Sequence, residues 1–265
     1  MKILFIGDIF AKPGRRVLKE YLEEVVPQKT YDLIIANVEN AAGGQGFTVD
    51  IIKELFDYGV DVMTSGNHTW DKKEDAESVF KNFKNVIRPL NYPICDEYET
   101  PGSGSVIFEK NGISVGVINV QGRLFLHAID CPFRSLKKEI ERISKQCSFI
   151  IVDVHAETTS EKQALAWYVD GKVAAVLGTH THVQTADERI LPKGTAYISD
   201  VGMTGPYDSV IGMKTDRAIK RFLTAMKVHL EPAKKNAKLC GAILDIDEKT
   251  GKAQSIERIQ WAQNL

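Results

Sequence analysis

Residues 1–10 read MKILFIGDIF, an apolar run that ends in Gly7 and then in a carboxylate, Asp8. Such a run reads as a buried strand over residues 2–7. A buried strand has no use for an unpaired charge, because desolvating an ionised carboxylate without a partner is costly. Something positive should therefore meet Asp8.

Downstream the pattern alternates. Residues 14–26 place Val17, Leu18, Tyr21, Leu22 and Val25 at helical spacing after Pro13. A strand at 31–38, a helix at 48–58 and a strand at 60–64 come after it. Strand and helix in alternation predict parallel βαβ units, whose active residues collect at the carboxyl ends of the strands. The second half is richer in strands. Residues 104–109 and 113–119 flank Asn111-Gly112, a two-residue hairpin signal. A helix at 135–146, a strand at 148–154, a helix at 160–169 and a strand at 172–177 come next. Hairpin-like strands are predicted within 187–199 and at 239–247 with 252–261. No repeat, low-complexity tract or linker divides the chain, so residues 1–265 are expected to form one domain.

The residues at the carboxyl ends of these strands are informative. Asp8 stands after the first, Glu39 and Asn40 after the second, and Asn67 and His68 after the third. His155 stands after the strand at 148–154, and His180 and His182 after the strand at 172–177. A single histidine at a strand end is usually a hydrogen-bonded structural residue, and an Asp after a Gly often caps a helix. Independent caps and turns, however, give no reason for carboxylates, amides and imidazoles at five strand ends. One shared site explains them better. His127 and His229 lack this context and are read as structural. If residues 180–182 are extended, His180 and His182 point the same way into one pocket. Gly178 before them suits a tight turn or close packing.

Composition narrows the classes. The chain has 265 residues, 43% apolar and 26% charged, with 34 basic and 35 acidic side chains. At a formal net charge of −1, broad nucleic-acid or membrane-surface binding is not expected. No apolar segment reaches the ~20 residues of a membrane span and no signal-peptide pattern opens the chain, so a cytoplasmic location is expected. Cys95, Cys131, Cys147 and Cys240 lack C-x-x-C spacing and read as reduced thiols.

The blocks GDIF, VENAAGG, GNHTWD, DVHAE and GTHTHVQTAD resemble, in order, those of the calcineurin-like metallophosphoesterase superfamily. The whole chain, including residues 191–213 (LPKGTAYISDVGMTGPYDSVIGM), is more closely similar to its YmdB-like bacterial branch. The resemblance implies a four-layer α/β/β/α sandwich of two mixed sheets flanked by helices. It also implies a dinuclear metal site hydrolysing small phosphodiesters, in this branch 2′,3′-cyclic nucleotides. By the same carry-over, Asp8, Glu39, Asn40 and His182 hold one metal and Glu39, Asn67, His155 and His180 the other. His68 stays unligated and assists the leaving group.

This division is chemically consistent. Two divalent ions bring four positive charges and Asp8 with Glu39 returns two, so the site attracts a phosphate. It also activates a bridging hydroxide for in-line attack, because coordination lowers the pKa of water to about 7. One departure stands out. Many members carry Asp-x-His in the first block, whereas this chain has Phe10, which leaves Asn40 as the replacement ligand. An amide oxygen is a harder donor than an imidazole, so Fe or Mn is favoured over Zn; two divalent or mixed-valence ions are expected, with Mg also less favoured. Arg15 and Arg16 are read as solvated, and Arg123 as the candidate contact to a substrate phosphate. The alternatives are a phosphomonoesterase or protein phosphatase, and a non-catalytic nucleotide- or RNA-binding regulator. A homo-oligomer is compatible with all of these.

Overall fold

The computed structural model describes residues 1–28, 30–110 and 112–262. In chain order the elements are β1 (Lys2–Ile6), β2 (Asp8–Ile9), α1 (Ala11–Glu24), a 3-10 turn (Val26–Gln28), β3 (Leu33–Asn37), α2 (Val49–Asp57), β4 (Val62–Thr64) and α3 (Lys73–Asn82). Then come β5 (Ser105–Lys110), β6 (Ile113–Gln121), α4 (Pro132–Ile143), β7 (Phe149–His155), α5 (Thr159–Val169), β8 (Ala175–Thr179), β9 (Arg189–Ile190) and β10 (Ala196–Ile198). The chain ends with β11 (Met203–Pro206), α6 (Thr215–Thr224), β12 (Ala237–Ile246) and β13 (Ala253–Trp261).

One sheet runs β2-β11-β12-β1-β3-β4, with β13 also paired to β12, and the other runs β5-β6-β7-β8-β10-β9. Both are mixed. β1, β3 and β4 are mutually parallel, as are β6, β7, β8 and β10, while β12, β13, β5 and β9 bring antiparallel pairings.

The period of two along each central strand builds the layers. On β1, Ile3 and Phe5 pack between the sheets with Val117, Ile151 and Leu177, whereas Leu4 and Ile6 face α1 and α2 through Leu18, Leu22 and Ile52. On β7, Ile151 faces the other sheet, while Ile150, Val152 and Val154 face α4 and α5 through Leu136, Ile140 and Leu165. Three apolar interfaces therefore separate four layers, the α/β/β/α sandwich expected. Each fully buried side chain such as Phe5 adds roughly 1.5–3 kcal/mol.

Some expected boundaries shift. Helix α1 begins at Ala11 rather than after Pro13, because a proline in the first turn gives up an N–H that has no helical partner. Helix α3 is hard to see in KEDAESVFKN, where only Ala76, Val79 and Phe80 are buried. Strand β11 hides in MTGP, whose Gly and Pro disfavour a strand; pairing to β2 and β12 imposes it. Helix α6 buries Ala218 alone. The hairpin expected at Asn111-Gly112 has its first residue outside the described residues; Gly112 has φ 78° and β5 pairs antiparallel with β6.

Candidate metal centre

The carboxyl ends of β1, β3, β4, β7 and β8 point to one end of the sandwich. Asp8 follows β1 across Gly7, Glu39 and Asn40 follow β3, and Asn67 and His68 follow β4. His155 is the last residue of β7, and His180 and His182 follow β8. The structure brings all of these predicted residues to this end of the sandwich.

Around His155 the contacts converge. Its Nε2 lies 2.9 Å from Asn67 Oδ1, 3.1 Å from Glu39 Oε1 and 3.0 Å from His180 Nδ1. On the other face of the ring, Nδ1 lies 2.9 Å from Thr179 Oγ1, which donates its single proton to Asp153 Oδ1 at 2.7 Å. Thr179 must then accept from His155 Nδ1–H, so in the neutral ring Nε2 turns its lone pair inward. Lone pairs of an amide oxygen, a carboxylate and imidazoles meeting at one buried point need a proton or a cation between them. Ligand atoms of Glu39, His155 and His180 all lie within 4.8 Å of one another.

The second half of the cluster surrounds Asp8. His180 N donates to its Oδ2 at 3.1 Å, but its Oδ1 is fully buried and has no hydrogen-bond partner among the described residues. The nearest cationic candidate, His182 Nε2, is 3.8 Å away. The Nδ1 of His182 donates to Ile211 O at 2.9 Å, so Nε2 again faces inward. Asn40 sits between, its Nδ2 donating to Glu39 Oε1 at 3.0 Å and 3.1 Å from His182 Nε2. A half-turn about χ2 presents its Oδ1 instead. An orphaned carboxylate oxygen beside two inward-facing lone pairs is a donor set that fits a divalent cation.

Close packing keeps the space open. A Cβ on Gly66 of the GNH block would lie 2.3 Å from Glu39 Oε2 and 2.4 Å from His155 Nε2, so only glycine leaves room here. A Cβ on Gly178 would lie 1.7 Å from Ser199 O, the close packing expected of that position.

Burial and charge decide protonation. Burial pushes Asp8 up from the usual carboxylate range, against the pull of His182 and His155. Burial also opposes ionisation of Glu39, but the His155 ring outweighs it and holds Glu39 well below that range. Burial favours neutral His155, yet Glu39, with Asp8 and Asp153, pushes it up to about 9. Burial and then the charge on His155 push His180 down to about 3.

Three sequence-based expectations are corrected by the fold. Residues 180–182 are not extended: His180 has φ 101° and His182 φ 63°, with Ile211 at 44° nearby. The two rings reach the site through a strained loop, each such residue costing roughly 1–3 kcal/mol. Asp200 holds that loop, accepting from Thr181 N at 3.0 Å and Thr181 Oγ1 at 2.8 Å, and Lys162 in turn donates to Asp200 at 2.8 Å and to Thr179 O at 2.7 Å. Arg15 is not solvated. It donates to Ala41 O at 2.6 Å and Glu54 at 3.0 Å, tying α1 to the loop after β3, while Arg16 is exposed as expected. Arg123 lines a different cavity, with Leu124, Phe133, Ser160 and Glu161. The site cavity, of about 410 Å3, is lined instead by Arg221, with His68, Glu157 and four of the candidate metal residues, Glu39, Asn40, His180 and His182.

The strand-end pattern passes over other residues. Asp153 lies two residues before His155 on β7, and the strand period puts both on one face. Asp71, in the same turn as His68, meets its Nδ1 at 2.7 Å. Phe10 is buried edge-on against the His182 ring, with centroids 5.6 Å apart, so it packs against one of the imidazoles of the site.

A family model described as "YmdB-like protein" matches residues 4–259. The chain belongs to the YmdB-like family. Within it, the chain is 49% identical over 259 residues to a Bacillus subtilis protein named 2′,3′-cyclic-nucleotide 2′-phosphodiesterase, covering 98% of this chain and 96% of that one. A solved structure described as a novel phosphatase from Mycoplasma pneumoniae superposes with TM-score 0.92 at 39% identity, covering 98% of this chain and 93% of that one. The YmdB-like architecture recurs in a calcineurin-like phosphoesterase from Bacillus subtilis, with TM-score 0.60 at 13% identity over 98% of this chain and 90% of that one. At that identity the likeness shows the fold alone.

Proposed function

We propose that this protein is a metal-dependent phosphodiesterase of 2′,3′-cyclic nucleotides with a dinuclear centre. Asp8, Glu39, Asn40 and His182 would hold one cation and Glu39, Asn67, His155 and His180 the other. The observation that carries this reading is the convergence of Asn67, Glu39 and His180 on His155 Nε2, beside Asp8 Oδ1, which has no hydrogen-bond partner among the described residues. The name of the 49% identical relative supports the substrate class. When bound, the cations supply Lewis-acid polarisation of the phosphate and acidify water.

The chain's own residues do the rest. Asp8 and Glu39 leave the filled site net positive, so an anionic diester is drawn to it. Asp71 orients His68 through Nδ1, which leaves the other ring nitrogen to serve the leaving oxygen as a general acid, a role typically worth 10²- to 10⁴-fold. Arg221, rather than Arg123, takes the phosphate-contact role. The amide oxygens of Asn40 and Asn67 are hard donors and favour Fe or Mn. Four free cysteines accord with a cytoplasmic location.

A panel of 2′,3′- and 3′,5′-cyclic nucleotides with Mn, Fe, Zn and Mg tests the reading, with Asp8→Ala as the blank. Turnover of the 2′,3′-cyclic set with Mn or Fe, lost in the blank, is expected. Faster turnover of p-nitrophenyl phosphate than of its bis-ester would replace it with a monoesterase. Retained nucleotide without product would replace it with a non-catalytic regulator.

A further inference from the structure

The site cavity does not end at the metal-type residues. A second cavity, of about 730 Å3, shares Gln45, Met213, Arg221 and Leu230 with it. A third, also of about 730 Å3, meets the second at Gly43. The third also backs directly onto the first. Phe10, Gly44, Met213 and Leu230 line the site, and their immediate chain neighbours Ala11, Gly43, Lys214 and Glu231 line the third cavity. Consecutive Cα atoms are about 3.8 Å apart, so a single wall separates them.

The third cavity is basic. Six cationic side chains, Lys12, Arg15, Arg16, Lys72, Lys214 and Lys234, face it against one carboxylate, Glu231. Arg15 is paired with Glu54, Arg16 with Glu20, and Lys214 with Glu231. Lys12, Lys72 and Lys234 have no carboxylate at ion-pair distance among the described residues. In a chain of net charge −1, this concentration of unspent positive charge is local. A concave surface of one sign focuses its field on an anion.

Volume adds to this. Pockets for small ligands run from about 300 to 1,000 Å3. The site cavity alone suffices for a cyclic mononucleotide, and such a substrate leaves the two adjoining cavities and their charge without a use. A 2′,3′-cyclic phosphate can also close the 3′ end of a ribonucleotide chain, whose remaining phosphates then run away from it in the 5′ direction.

We propose that the basic cavity binds the internucleotide phosphates of a short oligoribonucleotide whose 2′,3′-cyclic phosphate end occupies the metal centre. The proposal rests on the phosphodiesterase reading above and narrows its substrate class to RNA ends. It differs from broad nucleic-acid binding, because the contacts extend only from one chain terminus.

The test compares a 2′,3′-cyclic mononucleotide with a trinucleotide ending in the same cyclic nucleotide, on the metal-loaded wild type and on a Lys12→Gln/Lys234→Gln double variant. Binding of a 5′-fluorescein trinucleotide to the metal-stripped protein is followed in parallel by anisotropy. Two internucleotide phosphates on a single strand predict a salt slope near about −1.4, or about a sevenfold weakening from 50 to 200 mM salt. The trinucleotide should show the lower KM, and the double variant should raise it while leaving mononucleotide turnover unchanged. Equal KM and equal salt dependence for both substrates would overturn the proposal while the phosphodiesterase reading stands. So would displacement of the labelled trinucleotide by millimolar inorganic phosphate with no KM difference, the behaviour of a free-phosphate site. Absence of turnover on both substrates would overturn the phosphodiesterase reading and this one with it.

Discussion

Lys162 and Asp200 form an ion pair at 2.8 Å with both side chains 1% exposed. Lys162 also donates to Thr179 O, and Asp200 also accepts from Thr181 and from Gly202 N at 2.9 Å. The pair therefore braces the loop whose residues His180 and His182 hold positive φ. Removing one partner of a buried pair typically costs about 3–5 kcal/mol, because a charge is left uncompensated. In Lys162→Met, Asp200 keeps three donors, two from Thr181 and one from Gly202, which places the cost near the lower end, about 3 kcal/mol. For a chain of this size that is roughly a 6–12 °C fall in Tm. Asp200→Asn should cost a similar amount by stranding the lysine. The double variant Lys162→Met/Asp200→Asn buries no charge, so it should lose about as much as one single change, giving a coupling near 3 kcal/mol. Urea unfolding of the four proteins in EDTA measures this without interference from metal. Additivity of the two single changes to within about 0.5 kcal/mol would show that the pair does not act as a unit.

Gly66→Ala should fold yet lose most bound metal, measured by elemental analysis, because the new Cβ would lie 2.3 Å from Glu39 Oε2. His68→Ala should retain metal and lose roughly 10²- to 10⁴-fold in kcat; loss of metal would make His68 a ligand instead. Asp71→Asn should lose less and shift the pH profile, as its side chain only orients the ring. Burial opposes the charge on Glu139, but hydrogen bonds from Arg142 and Ser105 outweigh it and hold its carboxyl below the usual range. A depressed carboxylate stabilises the fold above its unfolded pKa, so the stability advantage over Glu139→Gln should be constant from pH 7 to about 5 and close as pH falls further. One domain over residues 1–265 should unfold in a single transition coincident by fluorescence and circular dichroism; two separated transitions would divide it.

Local sequence signals showed the strand and helix alternation and the residue types at five strand ends, whereas the four-layer packing entered only through the family resemblance. The apolar run Ile3, Leu4, Phe5 and Ile6 commits β1 to two apolar faces, and the residues after β1, β3, β4, β7 and β8 supply the candidate site, because both properties are local in sequence. Asp8, the charge with no use in a buried strand, proved to be buried with one oxygen unpartnered among the described residues. Tertiary structure alone decided how the histidines arrive. His180 and His182 enter on positive-φ backbone braced by Lys162 from α5, through a contact with Asp200, 38 positions away, that no local pattern encodes. It also decided that Arg221, not Arg123, faces the site, and that Lys12, Lys72 and Lys234 share one cavity. Charge counted along a chain is a sum, whereas the field at a ligand depends on which side chains the fold brings to one wall.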